Sequence, residues 1–219
     1  MIIGLTGKNA SGKGEVANYL KAKGFVYYSH SDIIREEATK RGLEHTRDNL
    51  IALGNELREK FGSSYLAQQI NNKIKEQLEK SNAKNPIKNP NIKKNNDLIS
   101  NNINKNENKN IKKNNEANFV VDSIRSPYEA KELMKNKNFT LVGIDAPIEL
   151  RFKRLLERNR VGDAKTLKEF KEQEQRENLK SNTNQQLDAT FKLSNKIILN
   201  DGTLEQLHKK IDDLLRELE

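Results

Sequence analysis

The fold is decided by the stretch Gly7-Lys8-Asn9-Ala10-Ser11-Gly12-Lys13-Gly14, which follows the short apolar run Met1–Thr6. The apolar run predicts a buried strand, and the apolar spacing within 15–22 predicts a helix directly after the glycines. A strand, a G-x-x-x-x-G-K turn and a helix, in this order, are typical of a phosphate-binding loop. The glycines let successive backbone N–H groups turn towards a phosphate, and the positive end of the helix dipole adds to them. Lys13 is expected to reach the β- and γ-phosphates of a nucleotide as a mobile charge.

The residue after Lys13 departs from the usual pattern. A serine or threonine at this position normally ligates magnesium through its hydroxyl, whereas this chain has Gly14 followed by Glu15. We therefore expect the Mg²⁺ that accompanies ATP to be held through water and by acidic groups from elsewhere in the chain. The residues of the loop that are predicted to bind ATP are Gly7, Asn9, Ala10, Ser11, Gly12, Lys13, Gly14 and Glu15.

The charge of the chain is unevenly distributed. Its 219 residues include 40 lysines and arginines against 31 aspartates and glutamates, a net charge of +9. Residues 81–116 hold eight lysines and three acidic residues, and 14 of these 36 positions are asparagine. A segment of this composition buries too little apolar surface to offset its ordering entropy, so it predicts a disordered insert. Because its lysines are not interleaved with aromatic side chains, nucleic acid is not the expected partner.

Composition excludes several classes of protein. The chain contains no cysteine, which rules out disulfide frameworks, thiol catalysis and cysteine-based zinc sites. Its three histidines lack the spacing of metal ligands. We expect no signal peptide, and no apolar run approaches the roughly 20 residues of a membrane span. These features predict a cytoplasmic protein. A monomer or a dimer is the expected form, although composition does not determine it.

The remaining chain alternates short apolar runs with amphipathic segments. Strands are predicted at 25–28, 119–122, 140–145 and 197–199, in addition to 1–6. Helices are predicted at 33–38, 46–60, 63–79, 147–158 and 164–177, after Pro127, and from a cap at Thr203 onwards. Short apolar strands joined by helices are typical of a buried parallel sheet. We therefore predict a single α/β domain over 1–219, a five-stranded parallel sheet with helices on both faces.

The carboxyl ends of the predicted strands lie at one edge of the sheet, where ligands of open α/β folds bind. This rule selects five places for the site: Gly7–Gly14, Ser29–Arg35, Asp122–Arg125, Asp145 and Asn200–Gly202. In the second of them, Ser31 or Asp32 is expected to cap the following helix.

The helix at 147–158 carries a basic stripe. Three arginines are spaced to share one face: Arg151, Arg154 and Arg158. The apolar residues of the opposite face are expected to be buried: Phe152, Leu155 and Leu156. A solvated basic face and a binding surface for a polyanion are both consistent with this stripe. Phosphoryl transfer would use the second, because arginines and a metal neutralise charge that spreads over phosphate oxygens.

Outside 81–116, the chain resembles the nucleoside-monophosphate kinases, the family of adenylate kinase. Residues 29–35, Ser-His-Ser-Asp-Ile-Ile-Arg, are similar to the family stretch S-T-G-D-x-x-R. Residues 121–125, Val-Asp-Ser-Ile-Arg, are similar to its L-D-G-F-P-R run, one residue shorter. The resemblance implies that Arg35 and Arg125 bind the phosphate of the acceptor. It also implies that Asp122 belongs to the magnesium shell, through bound water.

The same resemblance extends to the C-terminal half of the chain. Asp145-Ala146-Pro147 and the arginines that follow keep the family spacing, which implies that Arg154 and Arg158 are catalytic lid arginines that clamp the donor ATP. It further implies that 33–79 form the acceptor-binding lobe and that 159–190 form the lid. The implied cofactors are ATP and Mg²⁺, and the implied partners are small-molecule nucleotides.

A second resemblance is to dephospho-CoA kinase. Residues 2–7 and 200–205 are similar to that family's first strand and to its closing N-x-G-x-L-E turn, which implies that Asn200 and Gly202 lie beside ATP. Asp32 matches that family's catalytic aspartate, a candidate base for a sugar hydroxyl and a metal contact through water. The segments Ser-Gly-Lys-Gly-Glu-Val, Ile-Arg-Glu-Glu-Ala and Asp-Ser-Ile-Arg-Ser-Pro also resemble a prokaryotic group of kinase-like proteins.

Three functions are open at this point. The first is an ATP-dependent kinase of a nucleoside or deoxynucleoside monophosphate, and the second is a dephospho-CoA kinase. The third is a non-catalytic, nucleotide-binding regulatory module, which the unusual Gly14-Glu15 pair suggests. A phosphate acceptor is already charged and needs arginines, whereas a sugar hydroxyl needs a base such as Asp32. Arg35 and Arg125 follow two separate strands and favour the first function.

Overall fold

The computed structural model describes residues 1–84, 117–160, 162–177 and 186–219. Within these ranges the strands are β1 (Ile2–Thr6), β2 (Val26–Ser29), β3 (Phe119–Asp122), β4 (Phe139–Asp145) and β5 (Lys196–Leu199). They form one sheet in the order β2-β3-β1-β4-β5, and every pair is parallel. The predicted five-stranded parallel sheet is confirmed.

Helices cover both faces of the sheet. They are α1 (Lys13–Ala22), α2 (His30–Lys40), α3 (Arg47–Phe61), α4 (Tyr65–Lys84), α5 (Pro127–Leu133), α6 (Ile148–Arg158), α7 (Leu167–Glu177), α8 (Leu187–Phe191) and α9 (Leu204–Leu218). On one face α1 and α9 pack on β1 around Leu5, Leu20 and Ile211. On the other face α4 and α5 pack on β3 around Ile70 and Leu133. The predicted layers are therefore confirmed.

The start of α2 differs from its prediction. The helix begins at His30, and the side chain of Ser29 caps it by accepting a hydrogen bond from the backbone N–H of Ser31 at 3.2 Å. The prediction that Ser31 or Asp32 is the cap is wrong, because Ser29 ends β2 with the extended backbone that an N-cap requires. The predicted cap of the last helix is confirmed, since Thr203 and Gln206 form a capping box at α9.

The basic stripe of α6 is also corrected. Arg151 is buried and forms an ion pair with Glu174 of α7, and it also donates to the backbone oxygens of Ala146 and Asn9. Leu156, predicted to be buried, is 47% exposed. The reason is that α7 packs on α6 through the buried side chains of Leu155 and Phe170, on the side that also contains Arg151.

The two predicted insertions are described only in part. Helix α4 continues to Lys84, so the first residues of the predicted insert 81–116 are helical, and 85–116 lie outside the described residues. Helices α7 and α8 belong to the predicted lid 159–190, of which 161 and 178–185 lie outside the described residues. In the described ranges no helix has both the length and the apolar character needed to span a bilayer.

Candidate active site

The loop after β1 passes close to the neighbouring strand. Gly7 has a φ of 141°, and a Cβ atom at this position would lie 2.2 Å from the carbonyl oxygen of Ile144 in β4. Gly12, the N-cap of α1, has a φ of 102°. Both positions require glycine, which alone adopts such backbone angles freely. The loop therefore curls over the carboxyl end of the sheet directly into a helix N-terminus.

The ammonium group of Lys13 lies over this loop. Nζ donates hydrogen bonds to the backbone oxygens of Gly7 and Lys8 at 2.7 and 2.8 Å. Beneath it, the Oγ atom of Ser11 is buried and makes no hydrogen bond within the described part of the chain. A cation, a helix N-terminus and an unpaired hydroxyl donor together fit a phosphate group.

Asn200, directly after β5, joins the loop to α6. The side chain is buried, and its Nδ2 donates to the backbone oxygen of Ser11 at 2.9 Å. Its Oδ1 accepts a hydrogen bond from Nη2 of Arg154 at 3.3 Å. The other terminal nitrogen of Arg154, Nη1, is buried without a hydrogen-bond partner among the described residues. A buried, unpaired guanidinium nitrogen beside the loop suits a further phosphate oxygen of the same ligand.

Asp122, at the end of β3, faces the same space. Its Oδ1 accepts a hydrogen bond from the backbone N–H of Ser123 at 2.6 Å, and its Oδ2 lies 3.5 Å from the hydroxyl of Tyr27. Burial, with the nearby charge of Asp122, raises the pKa of Tyr27 to about 12. The phenol therefore keeps its proton at neutral pH and can only donate to the carboxylate. Ser123 has a φ of 63°, a strained angle for a residue that is not glycine, as is common at functional sites.

Two neighbouring cavities open at this edge of the sheet. The first, about 650 Å³, contains the loop, Asp122 and Asn200 in its wall. The second, about 390 Å³, lies between α2 and α3. The residues that line both cavities are Asn9, Ser31, Arg35, Ser123, Arg125, Arg158 and Arg160. Four of these seven shared residues are arginines and none is acidic, so the boundary between the two cavities is rich in guanidinium groups. Two of them have a carboxylate partner, Arg35 with Asp32 and Arg158 with Asp163.

Arg158 is held in place at this boundary by a carboxylate. Its Nε and Nη2 donate to the two oxygens of Asp163 at 2.8 and 2.7 Å. Partial burial works against ionisation of Asp163, but the hydrogen bonds from Arg158 lower its pKa below the usual range. The bidentate pair fixes the plane of the guanidinium before any ligand binds.

Asp32 lies apart from this arrangement. It accepts a hydrogen bond from Arg35 at 2.8 Å, both side chains are about half exposed, and Asp32 lines neither cavity. Asp145 is likewise outside both walls, where its Oδ1 accepts from the backbone of Ala146. The other residues predicted individually to bind ATP or the acceptor line at least one cavity, except Gly7, whose backbone oxygen accepts from Lys13.

Magnesium fits this site as an ion that arrives with the nucleotide. In the described chain no group of three or more acidic or histidine side chains could hold a metal by itself. Mg²⁺ usually keeps several waters and binds one or two carboxylates together with substrate phosphates. Asp122 and Glu15 are the two carboxylates that line the first cavity, and Asp122, at the end of β3, would contact the ion through water.

The two glycines beside Lys13 allow a matched test of the loop. A Cβ atom at Gly12 would lie 2.1 Å from Nδ2 of Asn200, whereas one at Gly14 would have no atom within 4 Å. We expect Gly12→Ala to cost about 1–3 kcal/mol of stability and to weaken ATP binding. Gly14→Ala should fold at least as well as the wild type, because alanine favours a helical turn by up to about 1 kcal/mol. Thermal unfolding measures the stability of each variant, and calorimetric titration measures its affinity for ATP. If the two variants had equal stability and equal affinity, the loop would not require glycine at position 12.

The strand order and the glycine-rich loop that runs into α1 are those of the P-loop class of proteins. The sequence profile of dephospho-CoA kinase matches residues 1–206. The chain therefore belongs to the dephospho-CoA kinase family.

The chain is also similar to several other proteins and solved structures. A UPF0200 protein of Pyrococcus abyssi is 29% identical over 221 residues, covering 100% of this chain and 97% of the relative. One from Pyrococcus furiosus is 31% identical over 218 residues, covering 98% and 96%. The crystal structure of TT1252 from Thermus thermophilus is similar with a TM-score of 0.52 at 19% identity, covering 100% of this chain and 98% of the other. Shikimate kinase from Acinetobacter baumannii in complex with shikimate gives 0.50 at 13%, covering 99% and 93%. At these identities the solved structures support the fold alone.

Sequence reasoning missed three parts of the site. Arg160 follows the predicted end of α6, and its proximity to the second cavity depends on the turn that Asp163 stabilises. Tyr27 was assigned only to a strand. Its position one strand away from Asp122 becomes visible through the parallel register of β2 and β3. Arg47, at the start of α3, also lines the second cavity.

Proposed function

We propose that the protein transfers the γ-phosphate of ATP to the phosphate of a nucleoside or deoxynucleoside monophosphate. The observation that supports this acceptor is the boundary between the cavities, to which Arg35, Arg125, Arg158 and Arg160 contribute from different parts of the chain. An attacking phosphate and the transferred phosphoryl group are both anionic. Bringing them together therefore requires cations more than a base.

The proposed reaction assigns the first cavity to ATP and the second to the acceptor. An oxygen of the acceptor phosphate forms a bond to the γ-phosphorus as the bond to the β-phosphate oxygen breaks, and ADP leaves. Bound magnesium would supply charge neutralisation at the β- and γ-phosphates, with Asp122 as a contact through water. Lys13 and Arg154 would bind phosphate oxygens on the donor side, while Arg35 and Arg125 would bind the acceptor phosphate.

The proposal also assigns roles to the parts around the sheet. Residues 33–79 would be the acceptor-binding lobe and 159–190 the lid, within one domain over 1–219. The ion pair between Arg151 and Glu174 supports a lid role for α7, because it ties that helix to α6, whose Arg151 also reaches the backbone of Asn9 in the loop. We place this reaction in the cytoplasm, with small-molecule nucleotides as partners and a monomer or dimer as the active form.

A dephospho-CoA kinase is the second candidate function. The match of that family to residues 1–206 favours it, and so does Asp32 in the first turn of α2. Phosphorylation of a sugar hydroxyl needs a base. Asp32 would have to exchange its hydrogen bond with Arg35 for one to the hydroxyl.

The deciding experiment is ADP production from ATP and Mg²⁺ against a panel of acceptors. The panel contains each ribonucleoside and deoxyribonucleoside monophosphate, together with dephospho-CoA. We expect turnover with at least one monophosphate. Turnover only with dephospho-CoA would instead establish the second candidate, and Asp32→Asn would then abolish it. ATP binding without turnover on any acceptor would favour a regulatory module.

Arg35→Ala is expected to raise the KM for the acceptor about 10- to 100-fold, because one hydrogen bond to a charged group is lost. The KM for ATP should change much less. Arg41, the C-cap residue directly after the same helix, offers a matched control, because it pairs with Glu37 and Glu56 and lines neither cavity. Arg41→Ala should leave both KM values near those of the wild type. If Arg35→Ala raises the KM for ATP instead, the assignment of the two cavities is reversed.

A further inference from the structure

His30 is a buried histidine in the wall of the second cavity. It is the first residue of α2 and is 1% exposed. It lines this cavity together with the apolar side chains of Ile34, Leu50 and Ile51. The transfer reaction proposed above does not use this side chain.

One side of the imidazole ring faces a buried carboxylate. Nδ1 of His30 lies 3.3 Å from Oε2 of Glu129, which is fully buried. Nε and Nη2 of Arg58 donate to Oε1 of the same carboxylate at 2.9 and 2.8 Å. Burial opposes ionisation of Glu129, but the charges of Arg58 and His30 lower its pKa to about 2. Because an ionised carboxylate only accepts hydrogen bonds, the ring nitrogen that faces it, Nδ1, carries a proton.

The other side of the ring has no partner in the described chain. Both ring nitrogens are buried and neither makes a hydrogen bond to any residue within the ranges that the structure describes, but Nδ1 at least lies in ion-pair contact with Glu129. Buried polar atoms are almost always paired, so an exception calls for an explanation. Nε2 is therefore the ring atom left to form a hydrogen bond of its own. A polar group of a ligand in the second cavity could satisfy it.

We propose that His30 binds the acceptor nucleotide through a hydrogen bond between Nε2 and a polar group of its base or ribose. This inference rests on the proposed function, because it takes the second cavity as the acceptor site. The apolar side chains of Ile34, Leu50 and Ile51 suit the flat faces of a base, and the arginines of the shared boundary suit its phosphate. An acceptor that lacks the matching polar group would leave Nε2 without a hydrogen bond, so His30 is a specificity residue.

Two substitutions separate the roles of the two ring nitrogens. His30→Asn keeps an amide N–H close to the position of Nδ1, facing Glu129, and removes the atom that faces the cavity. His30→Gln keeps a polar atom close to the position of Nε2. We expect His30→Asn to raise the KM for the acceptor about 10- to 100-fold while the KM for ATP is unchanged. His30→Gln should recover part of this loss, and calorimetric ATP binding verifies that each variant is folded.

Paired ribo- and 2′-deoxyribonucleoside monophosphates identify which group of the acceptor contacts Nε2. A loss in His30→Asn that is confined to ribonucleotides assigns the contact to the 2′-hydroxyl, and a loss for both members of a pair assigns it to the base. Either result supports the proposal. An unchanged KM for the acceptor in His30→Asn, or an equal rise in the KM for ATP, overturns it and leaves the proposed function intact. A wild-type protein that neither phosphorylates nor binds any monophosphate overturns the proposed function and this inference together.

Discussion

Lys13→Ala is expected to lower the rate of phosphoryl transfer by at least about 10²–10³-fold, which corresponds to about 3–4 kcal/mol of transition-state stabilisation. Nζ is positioned over the loop by the backbone oxygens of Gly7 and Lys8. A phosphate bound at the start of α1 would lie beside this cation. Its removal leaves the charge that develops on the β- and γ-phosphate oxygens without its nearest neutralising group. Single-turnover kinetics with saturating ATP separates this loss from weaker nucleotide binding.

The neighbouring Lys8 provides the control. Its side chain is 38% exposed, lies 3.5 Å from Asp188 and lines neither cavity. Lys8→Ala should keep nearly the wild-type rate and change the free energy of unfolding by less than about 1 kcal/mol, as exposed ion pairs do. Transfer at the wild-type rate by Lys13→Ala would contradict the assignment of 7–14 as a phosphate-binding loop.

The sheet and the donor side of the site could be predicted because both depend on local patterns. Short apolar runs identify buried strands, and a parallel sheet brings their carboxyl ends to one edge. Residues that follow strands were therefore expected at this edge from their positions alone, and Asn200, directly after β5, and Arg125, three residues after β3, both line the first cavity. The glycines at 7 and 12 similarly reflect positive φ angles that glycine adopts freely.

The features that could not be predicted depend on contacts between residues that are distant in the sequence. The charge pattern of α6 does not reveal which side α7 will cover, so Arg151 was grouped with two arginines of the cavity although it forms a buried ion pair with Glu174. His30 belongs to a helix start and Glu129 to α5, and neither has a local pattern that points to the other. Propensity and periodicity describe how one segment folds, whereas these pairs are set by how whole helices pack.

The carboxylate of Glu129 connects three elements around the second cavity. It accepts hydrogen bonds from Arg58 of α3 and from the backbone N–H of Arg125 after β3, and it faces His30 of α2. The relative positions of three residues of the cavity wall thus depend on one buried charge. Stability and acceptor binding are therefore expected to be coupled at this point.

Glu129→Gln is expected to destabilise the protein by about 3–5 kcal/mol, because it leaves the guanidinium of Arg58 buried without an opposite charge. This is a large share of the roughly 5–15 kcal/mol that stabilises most domains. Arg58→Met should cost a similar amount for the converse reason. The double variant with Arg58→Met and Glu129→Gln should lose no more stability than either single variant, since neither charge is then left unpaired. Denaturant titrations of the four proteins measure this cycle.

The dependence of stability on pH tests the same carboxylate independently. The pKa of Glu129 falls from 4.5 to about 2 on folding, so its ionised form stabilises the native state by about 3 kcal/mol at neutral pH. This contribution is complete above the unfolded pKa and is lost as pH falls through the folded pKa. As the pH falls from about 5 to about 2, the wild type should therefore lose stability faster than Glu129→Gln. The difference in free energy of unfolding between the two proteins should narrow. Glu132→Gln, on the same helix and paired with the exposed Lys135, should cost less than about 0.5 kcal/mol at neutral pH. A stability difference between wild type and Glu129→Gln that does not change over this range would mean that Glu129 is not held ionised by Arg58 and His30.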